Sequence, residues 1–214
     1  EKLLKMKKQI YRWGNPAAYN RVDGSDQMLF QQHDCHWIEP NRPGESNILT
    51  FNNGLRRLPE GYTNQRDLPP YEVGLDWGYS SVDEIIPPID VNGVYVLKSD
   101  KAYEPNELLW TYIAPVPTNF FAEAISGCQR LPNGNTLICD GTSGVLFEVT
   151  LEGEKVWEYI CPVTGDGPIK QGDSIPLDHR AHAMNAIFKV HRYDPDYPGL
   201  ADKDLTPKYT LPLE

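Results

Sequence analysis

The chain has 214 residues, 40% of them hydrophobic and 11% aromatic, enough apolar material for a packed core and too much for a disordered polymer. With 30 acidic against 20 basic side chains, the formal charge is -10, and such a surface repels phosphate backbones, which speaks against a nucleic-acid partner. No apolar run approaches the ~20 residues of a membrane span.

The head, residues 1–9, is basic: four lysines sit among Leu3, Leu4 and Met6 between Glu1 and Lys8. It reads as a solvated terminus or as a docking helix for a membrane surface or a partner. It lacks the apolar core and small-residue cleavage site of a signal peptide, as a mature secreted chain would too.

Nineteen prolines and seventeen glycines, spread between short apolar runs, predict frequent turns and β structure. The strongest organising signal is an internal repeat. Trp110-Thr111-Tyr112-Ile113-Ala114-Pro115 and Trp157-Glu158-Tyr159-Ile160-Cys161-Pro162 are one phrase, and Tyr11-Arg12-Trp13-Gly14-Asn15-Pro16 is a looser copy. Alternating large residues ended by a proline describe a strand with one face in a core. On that reading Trp110 and Trp157 belong to the core. A second phrase precedes each full copy: Asn47 to Gly54 matches Asn135 to Gly141. Before these lie His33 to Ile38 and Ser126 to Leu131, and between them Ser80 to Ile86 and Gly144 to Val149.

Each unit therefore predicts four antiparallel strands in chain order, the pattern of a propeller blade. The chain divides into an outer strand of a preceding blade at 10–16, blades at 27–115 and 122–162, a strand of a closing blade at 186–191, and an extended tail at 194–214. Asn133-Gly134 predicts a two-residue hairpin turn. An insertion, 55–79, interrupts the first blade, and 161–185 is turn-rich. Two blades cannot close a ring of about four to eight. Completion requires N-terminal blades outside this sequence or a partner chain.

The four cysteines show no CxxC spacing, so no zinc site is expected. Cys128 and Cys139 are expected opposite each other on the hairpin, as buried thiols or a strained disulfide. His179 and His182 form H-x-x-H in a loop without an evident third ligand, so no metal is expected there.

These residues resemble the nucleotide-independent bacterial arylsulfotransferases. The resemblance rests on Gln32 to Ile38, Asn47 to Gly54 with Arg57, Tyr79 to Glu84, the Trp110 phrase, and Ser126 to Gly141 with Trp157-Glu158-Tyr159. Tyr11 to Pro16 and Asp196 to Leu200 extend it to about 10–207. It implies an all-β fold, a six-bladed β-propeller when complete, and a periplasmic or secreted location. It also implies sulfuryl transfer from an aryl sulfate to a phenol through a histidine, which matches His33 here, without a cofactor. Arg57, Asn53, His36 and Ser126 form the expected substrate-binding set. The family draws further site residues from preceding blades, which lie outside this sequence.

Position gives an independent reason to single out His33. The repeat aligns it with Ser126, just before the first and innermost strand of each unit, where an axial site is built. Neutral imidazole is a competent nucleophile, and a covalent adduct splits one transfer into two easier steps. The alternative is a structural histidine bonded to Asp34 or to backbone. Strand alternation puts His36 on the face opposite His33. The competing reading of the whole chain is a non-catalytic propeller acting as a binding or structural subunit.

Overall fold

The computed structural model describes residues 11–21, 26–55, 57, 78–99, 101–170 and 172–206. The basic head and most of the 55–79 insertion lie outside these. The described residues contain ten strands and only short 3-10 turns. No described helix is long and apolar enough to cross a membrane.

Eight strands form two four-stranded antiparallel sheets, each in chain order. The first holds β1 (His33–Trp37), β2 (Ile48–Asn52), β3 (Ser81–Ile85) and β4 (Trp110–Tyr112). The second holds β5 (Gly127–Arg130), β6 (Thr136–Asp140), β7 (Val145–Val149) and β8 (Lys155–Ile160). A small hairpin follows, β9 (Val163–Thr164) with β10 (Gly167–Pro168). The repeated phrases thus coincide with equivalent strands: Glu84 pairs with Trp110, and Glu148 with Trp157.

Turn chemistry explains why neighbours in sequence pair. In the β5–β6 connection the Leu131 amide donates to Asn135 O and the Gly134 amide to Leu131 O. The loop is therefore Pro132-Asn133-Gly134, three residues long, with Gly134 alone at positive φ (+92°). This corrects the expected two-residue turn: a tight turn followed by a left-handed glycine replaces the pair of positive φ values. The same loop recurs between β7 and β8, where Thr150 bonds Glu154.

The core lies between the sheets. Leu49, Phe51, Val82 and Tyr112 from the first meet Cys128, Ile138, Phe147 and Val149 from the second. Phe120, from the linker between the sheets, packs edge-on against Phe51 and Phe147, with centroids 5.6 and 5.4 Å apart. By the repeat, Leu49 and Phe51 correspond to Leu137 and Cys139, which point away from this core. The contact is therefore head-to-tail: one face of the first sheet meets the opposite face of the second.

Several expectations are corrected. Tyr11 to Pro16 forms no strand: among the described residues it is held by the Met28 and Leu29 amides donating to Gly14 O (2.7 and 3.1 Å) and by side chains, Tyr11 Oη to Glu104 O (2.9 Å) and Trp13 Nε1 to Pro105 O (2.7 Å). Residues 186–191 run extended along β5, with no ladder partner among the described residues. Trp110, on β4, is partly buried and packs against the core beneath Arg130, whereas Trp157, on β8, is 40% exposed beneath Arg192 and lies outside it. Gly127 pairs with Cys139 and Cys128 with Ile138, so the two cysteines point to opposite faces and both are free thiols.

Candidate functional site

His33 opens β1 at a sharply turned point. Gln31 and Asp34 both have positive φ, 57° and 53°. Asp34 is the extra residue of a β-bulge, since His33 pairs with Phe51 and His36 with Leu49. Phe51 and Leu49 share a face, so the bulge puts His33 and His36 on one face, overturning the simple alternation. The bulge also shifts the repeat by one: His33 pairs with Phe51 where Gly127 pairs with Cys139, so Gly127, not Ser126, is its counterpart.

Asn53 fixes the His33 ring. Its side chain is fully buried, and Nδ2 donates to Ala122 O (2.7 Å) and Ile125 O (3.1 Å). That leaves Oδ1 as the acceptor facing His33 Nδ1 at 2.7 Å. An acceptor there requires the proton on Nδ1, so in neutral imidazole the Nε2 lone pair is free. No described residue bonds Nε2. Ser80 completes the mount: its hydroxyl donates to Asn53 O (2.9 Å) and accepts from the Ala122 amide (2.9 Å).

The other expected residues lie in different settings. His36 donates from Nδ1 to Asp34 O at 2.7 Å, which likewise leaves its Nε2 free. It lines a cleft of about 210 Å³ with Gln129, Lys189 and His191, a cleft whose walls do not include His33. Arg57 donates to Ser81 Oγ (3.0 Å) and lies over the Tyr79 ring at 4.3 Å. It has no carboxylate partner among the described residues. Ser126 is buried, and its hydroxyl is used internally: it donates to Ala124 O (3.1 Å) and accepts from the Gly141 amide (3.0 Å). It is a mount for the β5 turn. His179 belongs to no cluster: among the described residues, no three His, Cys, Asp or Glu side chains gather as metal ligands. His182 stands 3.6 Å from Asp178 and 3.7 Å from Glu123.

Sequence reasoning missed Asp34 as a staple. Its carboxylate accepts the Cys128 amide (3.0 Å) and ion-pairs with Lys189, tying β1 to β5 and to the C-terminal segment. A Cβ at position 127 would lie 2.5 Å from Asp34 Oδ2, so Gly127 makes room for this contact. The glycine beside a repeated strand position was the available signal.

A repeated clasp was also missed. Asn47 Nδ2 donates to Glu84 Oε1 (2.7 Å), Arg130 donates to Glu84 Oε2 (2.6 Å), and the Arg130 guanidinium lies 4.8 Å over Trp110. In the second sheet Asn135, Glu148, Arg192 and Trp157 repeat this at 2.7, 2.6 and 5.1 Å. Burial opposes ionisation of Glu148, but hydrogen bonds from Asn135, Arg192 and Asn133 outweigh it and hold the carboxyl below its ordinary value.

No family model matches the chain, and neither does any curated protein or solved structure.

Proposed function

We propose that the chain is part of a β-propeller that transfers a sulfuryl group from an aryl sulfate to a phenolic acceptor, with His33 as nucleophile. The observation that supports this is the Asn53–His33 hydrogen bond, which in the neutral imidazole leaves Nε2 as the free lone pair on a rigid mount. The head-to-tail stacking of the sheets supports the ring, because such contacts repeat until they close or extend as an open array.

In the first step His33 Nε2 attacks sulfur, the N–S bond forms, and the aryl O–S bond breaks. The aryl oxygen leaves with the bonding pair and takes a proton from solvent. The proton stays on Nδ1 and is donated to Asn53 Oδ1, which stabilises the positive charge on the ring. In the second step the acceptor phenol gives its proton to solvent, its oxygen attacks sulfur to form the new O–S bond, and the N–S bond breaks with its electron pair returning to Nε2, restoring neutral imidazole. Arg57, in the loop following Asn53 and Gly54 and free of a carboxylate partner among the described residues, is the candidate counter-charge for the sulfuryl oxygens.

A non-catalytic propeller subunit is the second reading, favoured by Asp34. This carboxylate follows His33 directly and neutralises Lys189, the cation on the adjoining segment. The test is incubation of the native assembly with an aryl sulfate at neutral or alkaline pH, where the acid-labile N-sulfuryl adduct survives. Transferase chemistry predicts a mass gain of one sulfuryl group on the His33 peptide and loss of transfer in His33→Ala with the fold retained. Undiminished turnover in that variant overturns the assignment, and no adduct with no turnover leaves the scaffold reading.

A further inference from the structure

The clasp identifies what the C-terminal segment is. At the first sheet the arginine comes from β5, the first strand of the next sheet; at the second sheet it comes from residue 192. The segment 188–193 follows the second sheet as β5 follows the first. The Ser126 amide donates to Phe188 O (3.0 Å), the Arg192 amide to Gln129 Oε1 (2.8 Å), and Gln129 Nε2 to Arg192 O (3.0 Å). Arg192 thus corresponds to Arg130, His191 to Gln129, and Lys189 to Gly127.

The backbone directions match as well. The Cys128 amide points back to Asp34 on the first sheet, so by alternation the amides of Gly127 and Gln129 face β6. The Arg192 amide points back to Gln129, and the amides of Lys189 and His191 face away. Those two have no partner among the described residues. Beyond them the outer half of the second sheet is open. Trp157 and Tyr159 are 40% and 41% exposed. Their counterparts are covered: Trp110 Nε1 donates to Leu151 O (2.7 Å), and Tyr112 packs on Phe147 with centroids 5.7 Å apart.

We propose that 188–193 is the first strand of a third sheet, completed by a three-stranded antiparallel β segment from outside the described residues. Its first strand pairs with the Lys189 and His191 amides. Its outer strands lay an aromatic ring on Tyr159 and offer a carbonyl to Trp157 Nε1, as Phe147 and Leu151 do for the first sheet. A second copy of this chain does not fit, because it would bring four strands where three places remain. The inference rests on the ring reading of the stacked sheets and is independent of sulfuryl transfer.

Hydrogen exchange tests it, comparing the native full-length assembly with residues 1–214 alone. The Lys189 and His191 amides should exchange about 100-fold more slowly in the assembly, as edge amides do once paired. Tyr159→Glu should abolish that protection while lowering the melting of 1–214 only slightly, since Tyr159 is 41% exposed there and its ring contact is the Trp157 stack. Equal exchange rates in the two samples overturn the proposal. So does equal protection of both amides through self-association of 1–214, which would make a second copy the occupant.

Discussion

Arg130 and Arg192 hold the same place in successive units: each reaches back to a glutamate and a tryptophan paired across two strands of the sheet before it. They differ in surroundings. The Arg130 side chain is 1% exposed and its partner Glu84 5%, whereas Arg192 is 37% exposed.

That difference predicts unequal costs. Arg130→Met strands a buried carboxylate and should lower stability by about 3–5 kcal/mol. Arg192→Met should cost less, about 1 kcal/mol, because the cation is 37% exposed and the buried Glu148 carboxylate keeps its Asn133 and Asn135 donors. Urea midpoints of the two variants measure this, and equal losses would contradict the burial argument.

Gly127→Ala should disturb the staple at Asp34. The new methyl meets the carboxylate, which must move off the Cys128 amide and leave that buried donor unbonded. A loss of about 1–3 kcal/mol is expected, with faster exchange of the Cys128 amide by NMR.

The Asn53 mount predicts a spectroscopic signature. Imidazole nitrogen shifts should show neutral His33 carrying its proton on Nδ1. In Asn53→Leu the acceptor is gone, and the tautomer population should shift toward Nε2–H, with a drop in any His33-dependent transfer. An unchanged tautomer would mean that something other than Asn53 sets it.

Acid stability should report Glu148. Its folded pKa lies below the ordinary 4.5, so its contribution is full above that value and is lost as pH falls through the lowered folded value. Glu148→Gln should therefore flatten the acid limb of the stability curve, with wild type and variant converging at the lowest pH. Parallel curves would remove Glu148 as the source.

Thiol chemistry gives a further check. Burial pushes the Cys139 thiol up to about 12 and raises Cys128 well above its usual value. At pH 8 the thiolate fraction of Cys139 is then about one part in ten thousand. Both residues should resist alkylation until the chain is unfolded, and no Cys128–Cys139 disulfide should appear under oxidation.

The eight strands were legible because the repeated phrases match them in two sets of four and turn-forming glycine, proline or asparagine residues separate most of them. The repeat made the two sheets visible as one pattern used twice. What stayed hidden depends on single residues in three dimensions. The bulge at Asp34 obeys no alternation rule, and it decides which face His36 occupies and which residue corresponds to His33. Ser126 was singled out for its alignment, yet its hydroxyl is consumed by Ala124 and Gly141. Asn53 was expected to bind substrate, whereas its side chain is spent on His33, Ala122 O and Ile125 O, the last two distant in sequence. Trp157 was placed inside because it is large, whereas in the structure its cover is Arg192, from a segment beyond the sheet.

The connection lengths also set an order of assembly. The second sheet joins its strands through residues 131–135, 141–144 and 150–154, all tight turns. The first sheet must close 38–47, 53–80 and 86–109 before its ladders form. Loop-closure entropy grows with the logarithm of loop length, and non-local pairing slows folding. The second sheet is therefore the template that forms ahead, and the first condenses on its Ile138–Phe147 face. Pulse-labelled exchange during refolding should protect the amides of 136–149 before those of 48–52, and a reversed order would place the nucleus in the first sheet.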